Sequence, residues 1–434
     1  MRVEMQLSTV SGLWKCNKCG ACTAVCPLYQ QTVHEGMAAR GKLALLEAVV
    51  EGKSIPSRGL RAKLEDCLLC GACAANCPSL VPTTTLFLEA RAELTRLEGI
   101  APPLRVFLYV LGTPRIMDAG IPVLRMVQRT GLPQLLEERG GAFVPESLRA
   151  ALRRTPSIPA RSYRDCRVPL SLDRTVAQRS LAYFAGCIMN RLYADAAQAT
   201  RLVLGLSGYR VESPSVLCCG MPHRVAGDVE AARRLARANV EALEQYSTIV
   251  TDCATCGAAL KEYRELLAGD PAYRERAEVV SSRATDVSEF LMKSGLLRPE
   301  GQGPVRVTYH DPCHLVRGQG VRRQPRELLK SIPGVEFVEM EGADVCCGGA
   351  GSFCLTHHDL SEKVGATKVE SILATGAEVV ATGCPSCISQ LQALVKQQGC
   401  RIKVCHPTEL LAGAYGRERA PVERDCMPGP SSLL

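Results

Sequence analysis

Cys16-Asn-Lys-Cys19-Gly-Ala-Cys22-Thr-Ala-Val-Cys26-Pro27 and Cys67-Leu-Leu-Cys70-Gly-Ala-Cys73-Ala-Ala-Asn-Cys77-Pro78 repeat one pattern, three cysteines two residues apart, a fourth after three more, then proline. Three thiols at that interval let a tight loop wrap one corner of a metal cluster. Gly20 and Gly71 allow backbone to pass close to it. Pro27 and Pro78 turn the chain away and offer no competing N–H. Paired CxxC units also hold zinc. Four cysteines in one compact run, followed by proline and then repeated, fit an iron–sulfur cube better.

In two-cluster ferredoxins the fourth cysteine of each run serves the other cluster. One [4Fe–4S] cluster is therefore expected on Cys16, Cys19, Cys22 and Cys77, and a second on Cys67, Cys70, Cys73 and Cys26. Such cubes have no open coordination position, so their role is one-electron transfer rather than catalysis.

Outward from these runs the chain continues to 434 residues and carries 23 cysteines, mostly in CxxC and Cys-Cys groups. An odd total in a long chain, at such spacings, reads as metal ligation in a reducing compartment rather than a disulfide framework. The N-terminal MRVEMQLSTV lacks the pattern of a signal peptide, and the apolar run near Leu104–Leu111 is too short for a span. A cytoplasmic protein is expected, with peripheral contact at the inner membrane face left open. The net charge of +8 comes from scattered arginines, which fits a solvated surface better than a nucleic-acid interface.

The larger part of the chain is duplicated. LAYFAGC ending at Cys187, Cys218-Cys219-Gly220 and TIVTDC-ATC (Cys253, Cys256) recur as VRVTYHDPC ending at Cys313, Cys346-Cys347-Gly348 and EVVATGC-PSC (Cys384, Cys387). The offsets are 126 from Cys187 to Cys313, 128 from Cys219 to Cys347 and 131 from Cys253 to Cys384. In each half a β-branched run ends at a cysteine and a helical stretch follows. This predicts βαβ-type units with cysteines at the carboxyl ends of strands, where loops of an open sheet converge. The predicted fold class is α+β / α/β. Residues 1–100 form an α-helical two-cluster ferredoxin-type domain, 101–178 a helical segment and Arg/Pro-rich linker, 179–300 and 301–413 the two cysteine-rich repeats, and 414–434 a loose tail.

A single thiol, a vicinal pair before glycine and a CxxC resemble the CCG domain of the heterodisulfide reductase and glycolate oxidase iron–sulfur subunit families. The layout of two ferredoxin motifs and two CCG repeats is similar to the glycolate oxidase iron–sulfur subunit over roughly residues 10–413. The resemblance implies a noncubane [4Fe–4S] cluster on Cys187, Cys218, Cys219, Cys253 and Cys256, and another on Cys313, Cys346, Cys347, Cys384 and Cys387. Zinc or an ordinary cube in one repeat is the alternative. Both CxxC units are complete here, a departure from some glycolate oxidase subunits that leans toward the heterodisulfide-reductase-like branch.

No dinucleotide-binding or phosphate-binding glycine loop is present, and catalytic residues are not identifiable. The expected function is electron transfer within a flavin-dependent 2-hydroxyacid (glycolate or D-lactate) oxidoreductase complex. FAD would reside on a partner subunit, with a quinone-type or other acceptor. Little activity is expected of the chain alone. The alternatives are a catalytic subunit reducing a disulfide at noncubane clusters and a metal-bound scaffold. His310, His314 and Arg317 around Cys313, and His223 after the first CCG, are expected mainly to shape loops. Cys166, Cys354, Cys400, Cys405 and Cys426 are read as plain small residues.

Overall fold

The computed structural model describes residues 7–139, 144, 146–166, 179–301 and 303–415. In the N-terminal part, helices Ala39–Val50, Arg58–Glu65 and Thr83–Glu98 enclose Leu43, Leu46, Leu64, Leu86, Phe87 and Leu94. Each such side chain contributes about 1.5–3 kcal/mol when fully buried. The two cysteine runs lie against this core, and Cys16, Cys22, Cys67, Cys73 and Cys77 pack on it. Each run bends at its glycine: Gly20 (φ 84°) and Gly71 (φ 72°) start the short helices Ala21–Ala24 and Ala72–Ala75.

The duplicated part forms two four-stranded parallel sheets. Strands β1 (Arg179–Tyr183), β2 (Tyr209–Glu212), β3 (Ile249–Thr251) and β4 (Ala284–Asp286) are ordered β2-β1-β3-β4. Strands β5 (Val305–Tyr309), β6 (Val335–Phe337), β7 (Val379–Ala381) and β8 (Lys403–Cys405) are ordered β6-β5-β7-β8. All pairs are parallel, and helices make the crossovers. The expected α/β class and the cysteines at strand carboxyl ends are both found.

The repeats share one core. Leu181, Tyr183 and Val250 of the first sheet pack in the same cluster as Val307, Tyr309 and Val379 of the second. Reciprocal helices meet across the junction: Ala194–Leu206 packs on Pro407–Gly413, and Val287–Ser294 on Gln324–Lys330. This self-complementary arrangement resembles a two-fold dimer interface within one chain. It turns the carboxyl ends of both sheets toward each other. Ala254 N donates to Gly383 O at 2.9 Å, and a His406 ring nitrogen lies 2.9 Å from Asp252 O.

Between the two parts, helices Pro102–Gly112 and Pro114–Arg129 meet at 102°. Among the described residues no single helix is long and apolar enough to cross a membrane, though this bent pair qualifies together by length and composition. Pro102 and Pro114 sit in the first turns of these helices, where proline lacks no bond the helix needs. The Arg/Pro-rich stretch also differs from a free linker as far as Cys166. Tyr163 is buried, its hydroxyl 2.7 Å from Ser213 Oγ, and Arg154 Nε donates to Gln390 Oε1 at 2.8 Å. Residues 167–178, Cys426 and the expected tail beyond 415 lie outside the described residues.

Candidate metal centres

Around the N-terminal runs, Cys26 approaches Cys67, and Cys73 feels Cys67 and Cys26 more than Cys22. Cys22 has Cys16 as its charged cysteine neighbour. The runs are thus interleaved, the fourth thiol of the first lying with the second. Burial pushes the Cys22, Cys26 and Cys70 thiols above their ordinary range and Cys73 up to about 12. Cys19 is exposed at one end.

Two cations lie beneath these loops. Lys42 is 1% exposed, and its Nζ donates to Gly36 O and Met37 O at 2.8 and 2.9 Å. Arg91 donates to Leu64 O and Cys67 O at 2.6 and 2.7 Å. Burial lowers the pKa of both, against the attraction of Cys67. Buried cations beside a thiolate cluster offset its negative charge. Sequence reasoning missed both; a lysine and an arginine on apolar helix faces are the signals that marked them.

In the duplicated part, a cavity of about 490 Å³ lies between the sheet ends and is lined by all ten CCG cysteines. Their thiols lie close enough to perturb one another in an unbroken series, Cys187–Cys218–Cys219–Cys256–Cys253–Cys384–Cys387–Cys347–Cys346–Cys313. The central Cys253–Cys384 link joins the repeats. Cys219 is held down at about 5 by the Cys218 thiol, whereas its neighbours Cys218 and Cys256 are pushed up. Gly220 (φ 84°) and Gly348 (φ 82°) make the turn after each vicinal pair. A Cβ on Gly348 would stand 2.5 Å from Ser361 O, so no other residue fits there.

The other flagged residues separate by role. A His223 ring nitrogen meets Leu108 O at 3.0 Å, which ties helix Met221–Val225 to helix Pro102–Gly112. His314 contacts Thr255 and Cys313. Arg317 donates to Asp344 O at 2.9 Å and Cys70 O at 3.4 Å, joining the second repeat to a ferredoxin-type loop. Cys70 and Cys313 are near enough to raise the Cys70 pKa, and Leu28 and Leu68 pack with Cys346 and Phe353. Cys354, by its sequence a plain small residue, lines the cavity; its closeness to the second CCG was the available clue.

Ten unpaired thiols and a buried His310 Nδ1 without a hydrogen-bond partner converge there. Such a donor set fits iron–sulfur ligation. The architecture defines a class: iron–sulfur proteins that join a ferredoxin-type two-cluster module to a duplicated cysteine-rich domain.

Comparison with known families agrees. A 4Fe-4S dicluster domain matches residues 12–81, and a Cysteine-rich domain (CCG) matches residues 181–261 and 307–392. The probable glycolate oxidase iron-sulfur subunit of Bacillus subtilis is 31% identical over 420 residues, 94% of this chain and 95% of its own. The glycolate oxidase iron-sulfur subunit of Escherichia coli is 28% identical over 422 residues, 95% of this chain and 96% of its own. A fumarate reductase (CoM/CoB) subunit of Methanothermobacter marburgensis is 30% identical over 409 residues, 92% of this chain and 72% of its own. The chain belongs to the glycolate oxidase iron–sulfur subunit family.

Proposed function

We propose that this chain carries electrons from an FAD-bearing partner that oxidises a 2-hydroxyacid, glycolate or D-lactate, to a quinone-type acceptor. Cys16, Cys19, Cys22 and Cys77 would hold one [4Fe–4S] cube and Cys26, Cys67, Cys70 and Cys73 the other. The two sets of five CCG cysteines would hold two further clusters. The supporting observation is continuity: thiols run from exposed Cys19, through Cys70 beside Cys313, into the shared cavity. Iron–sulfur clusters supply one-electron carriers when bound; the residues fix their order and exclude water. Relatives named for glycolate oxidase and lactate utilization support the substrate class.

The bent helix pair supports access to a lipid-dissolved acceptor. Val106, Tyr109, Val123 and Met126 are 57–64% exposed, with Arg105, Arg115 and Arg129 among them. Apolar side chains edged by arginine suit an anionic membrane surface.

The test is purification of the native complex, followed by assay of glycolate and D-lactate with an artificial one-electron acceptor. Turnover with a co-purifying flavoprotein is expected, and absence of any flavoprotein would sink the reading. A second reading, reduction of a disulfide at the CCG clusters, draws on the cavity itself, since both sets of thiols line one space. Reduction of a thiol-coenzyme heterodisulfide by the isolated, reduced chain would favour it.

A further inference from the structure

The two repeats place different side chains at one position. After the first strand of each sheet, Phe184 N donates to Val250 O at 2.8 Å and His310 N donates to Ala381 O at 3.0 Å. These are equivalent bonds to the neighbouring strand, so backbone geometry at the two residues is the same. Phe184 is fully buried and packs in the core. His310 is 1% exposed and lines the cavity; its Nδ1 has no hydrogen-bond partner, and its ring lies beside the Cys347 thiol. A buried imidazole nitrogen without a partner costs about 1–3 kcal/mol unless something absent from the protein satisfies it. A ring nitrogen of His310 and the sulfurs of Cys347 and Cys387 all lie within 4.8 Å of one another. That spacing is suited to one metal ion touching all three.

We propose that His310 is a nitrogen ligand to the cluster held by the second repeat, whereas the first repeat's cluster is bound by thiolates alone. This rests on the iron–sulfur reading of the cavity and adds to it a difference between the sites. Here the imidazole adds a donor to five thiolates rather than replacing one, so the two CCG clusters differ in electron density and hence in potential. Phe184 can offer no such donor.

The experiment uses the full chain purified anaerobically with its clusters and grown with 15N-histidine. Pulsed paramagnetic resonance of the reduced protein should show a nitrogen coupling of the strength of a directly bound imidazole. H310F, which installs the first repeat's residue, should abolish it. That change should also shift one CCG potential by at least tenfold in its reduction equilibrium, about 59 mV for one electron. H314I, which installs the residue of the first repeat beside Cys313, should leave the coupling in place. Wild type showing only the weak coupling of a hydrogen-bonded ring, or a coupling that survives H310F, overturns the proposal while leaving the iron–sulfur reading intact. Zinc instead of iron in the second repeat overturns both. The wild-type spectrum decides even if H310F fails to fold.

Discussion

Phe184 and His310 are one of several pairs in which the two repeats part company. Ala185 corresponds to Asp311, Ile188 to His314, Asp252 to Gly383 and Asp286 to His406. On the helix behind each vicinal pair, Asn239 donates to Cys218 O at 3.0 Å, whereas Lys368 donates to the backbone of Gly342 and Ala343. The first repeat thus carries Asp252 and Asp286 at positions where the second has glycine and an imidazole, and the second adds further imidazoles, an ammonium and the Arg326-paired carboxylate of Asp311. Sheet order, thiols and turns are shared, so duplication supplied two equivalent scaffolds. Charge and donor type then distinguish them, and those are the quantities that tune a bound cluster. The second repeat is also the one whose Cys313 lies beside Cys70.

The largest expected effect breaks the comparison at its thiols. C219S should remove the iron of the first repeat, and C347S that of the second, with both ferredoxin-type cubes spectroscopically intact in each variant. Because the second repeat abuts the cubes, C347S should leave the first-repeat cluster oxidised long after the cubes are reduced. C219S should leave reduction of the second-repeat cluster at its wild-type rate. Iron content and rapid-freeze resonance spectra after a pulse of reductant measure both. Equal slowing in the two variants would show that electrons do not enter through the second repeat.

Much of this was legible in the sequence. The ferredoxin-type runs and the cysteine offsets announce themselves because ligand spacing is local, and β-branched runs ending at cysteine located the strand ends. What escaped was set by packing between distant segments. Nothing near Cys253 says that its thiol meets Cys384 across the junction. Lys42, Arg91 and Lys368 read as ordinary helix residues until their burial against loop carbonyls is seen. His310 stands out beside Cys313, but its unsatisfied nitrogen is a property of the cavity, not of the motif.

A second difference can be tested as stability. Asp311, which replaces Ala185, is 1% exposed and accepts two hydrogen bonds from Arg326, at 2.9 and 2.8 Å. Arg326 also bonds Glu339 and lies over the Tyr309 ring at 5.6 Å. R326A strands a buried carboxylate and should cost about 3–5 kcal/mol, as broken buried pairs do. The double variant D311A/R326A, which makes the second repeat like the first at this point, should recover most of that loss. Denaturant unfolding of the cluster-loaded protein checks it; a double variant no more stable than R326A would show that Arg326 acts through packing instead.

The smallest effect concerns the residues that cap the last helix of each repeat. Asp286 accepts from Ser288 N at 2.9 Å, and His406 serves the equivalent turn. Burial raises the Asp286 carboxyl to about 6, so the folded state binds its proton more tightly than the unfolded chain does. Its stabilising contribution is complete below about pH 3.9 and is lost as pH rises through about 6. Asp252, raised by burial to about 7, acts in the same direction. His406 is held down at about 4 by burial, so its contribution is present above about pH 6.5 and is lost as pH falls toward 4. D286N keeps a capping side chain and should gain about 3 kcal/mol at pH 7.5 and nothing near pH 4. H406N should show its relative gain on the acid side only, by a similar amount. Glu409, raised to about 7 by burial, adds an alkaline loss to the second repeat, so each signature is read as variant minus wild type across the pH series. Difference curves that change in the same direction with pH for D286N and H406N would mean that the two caps do not sense pH through their own ionisation.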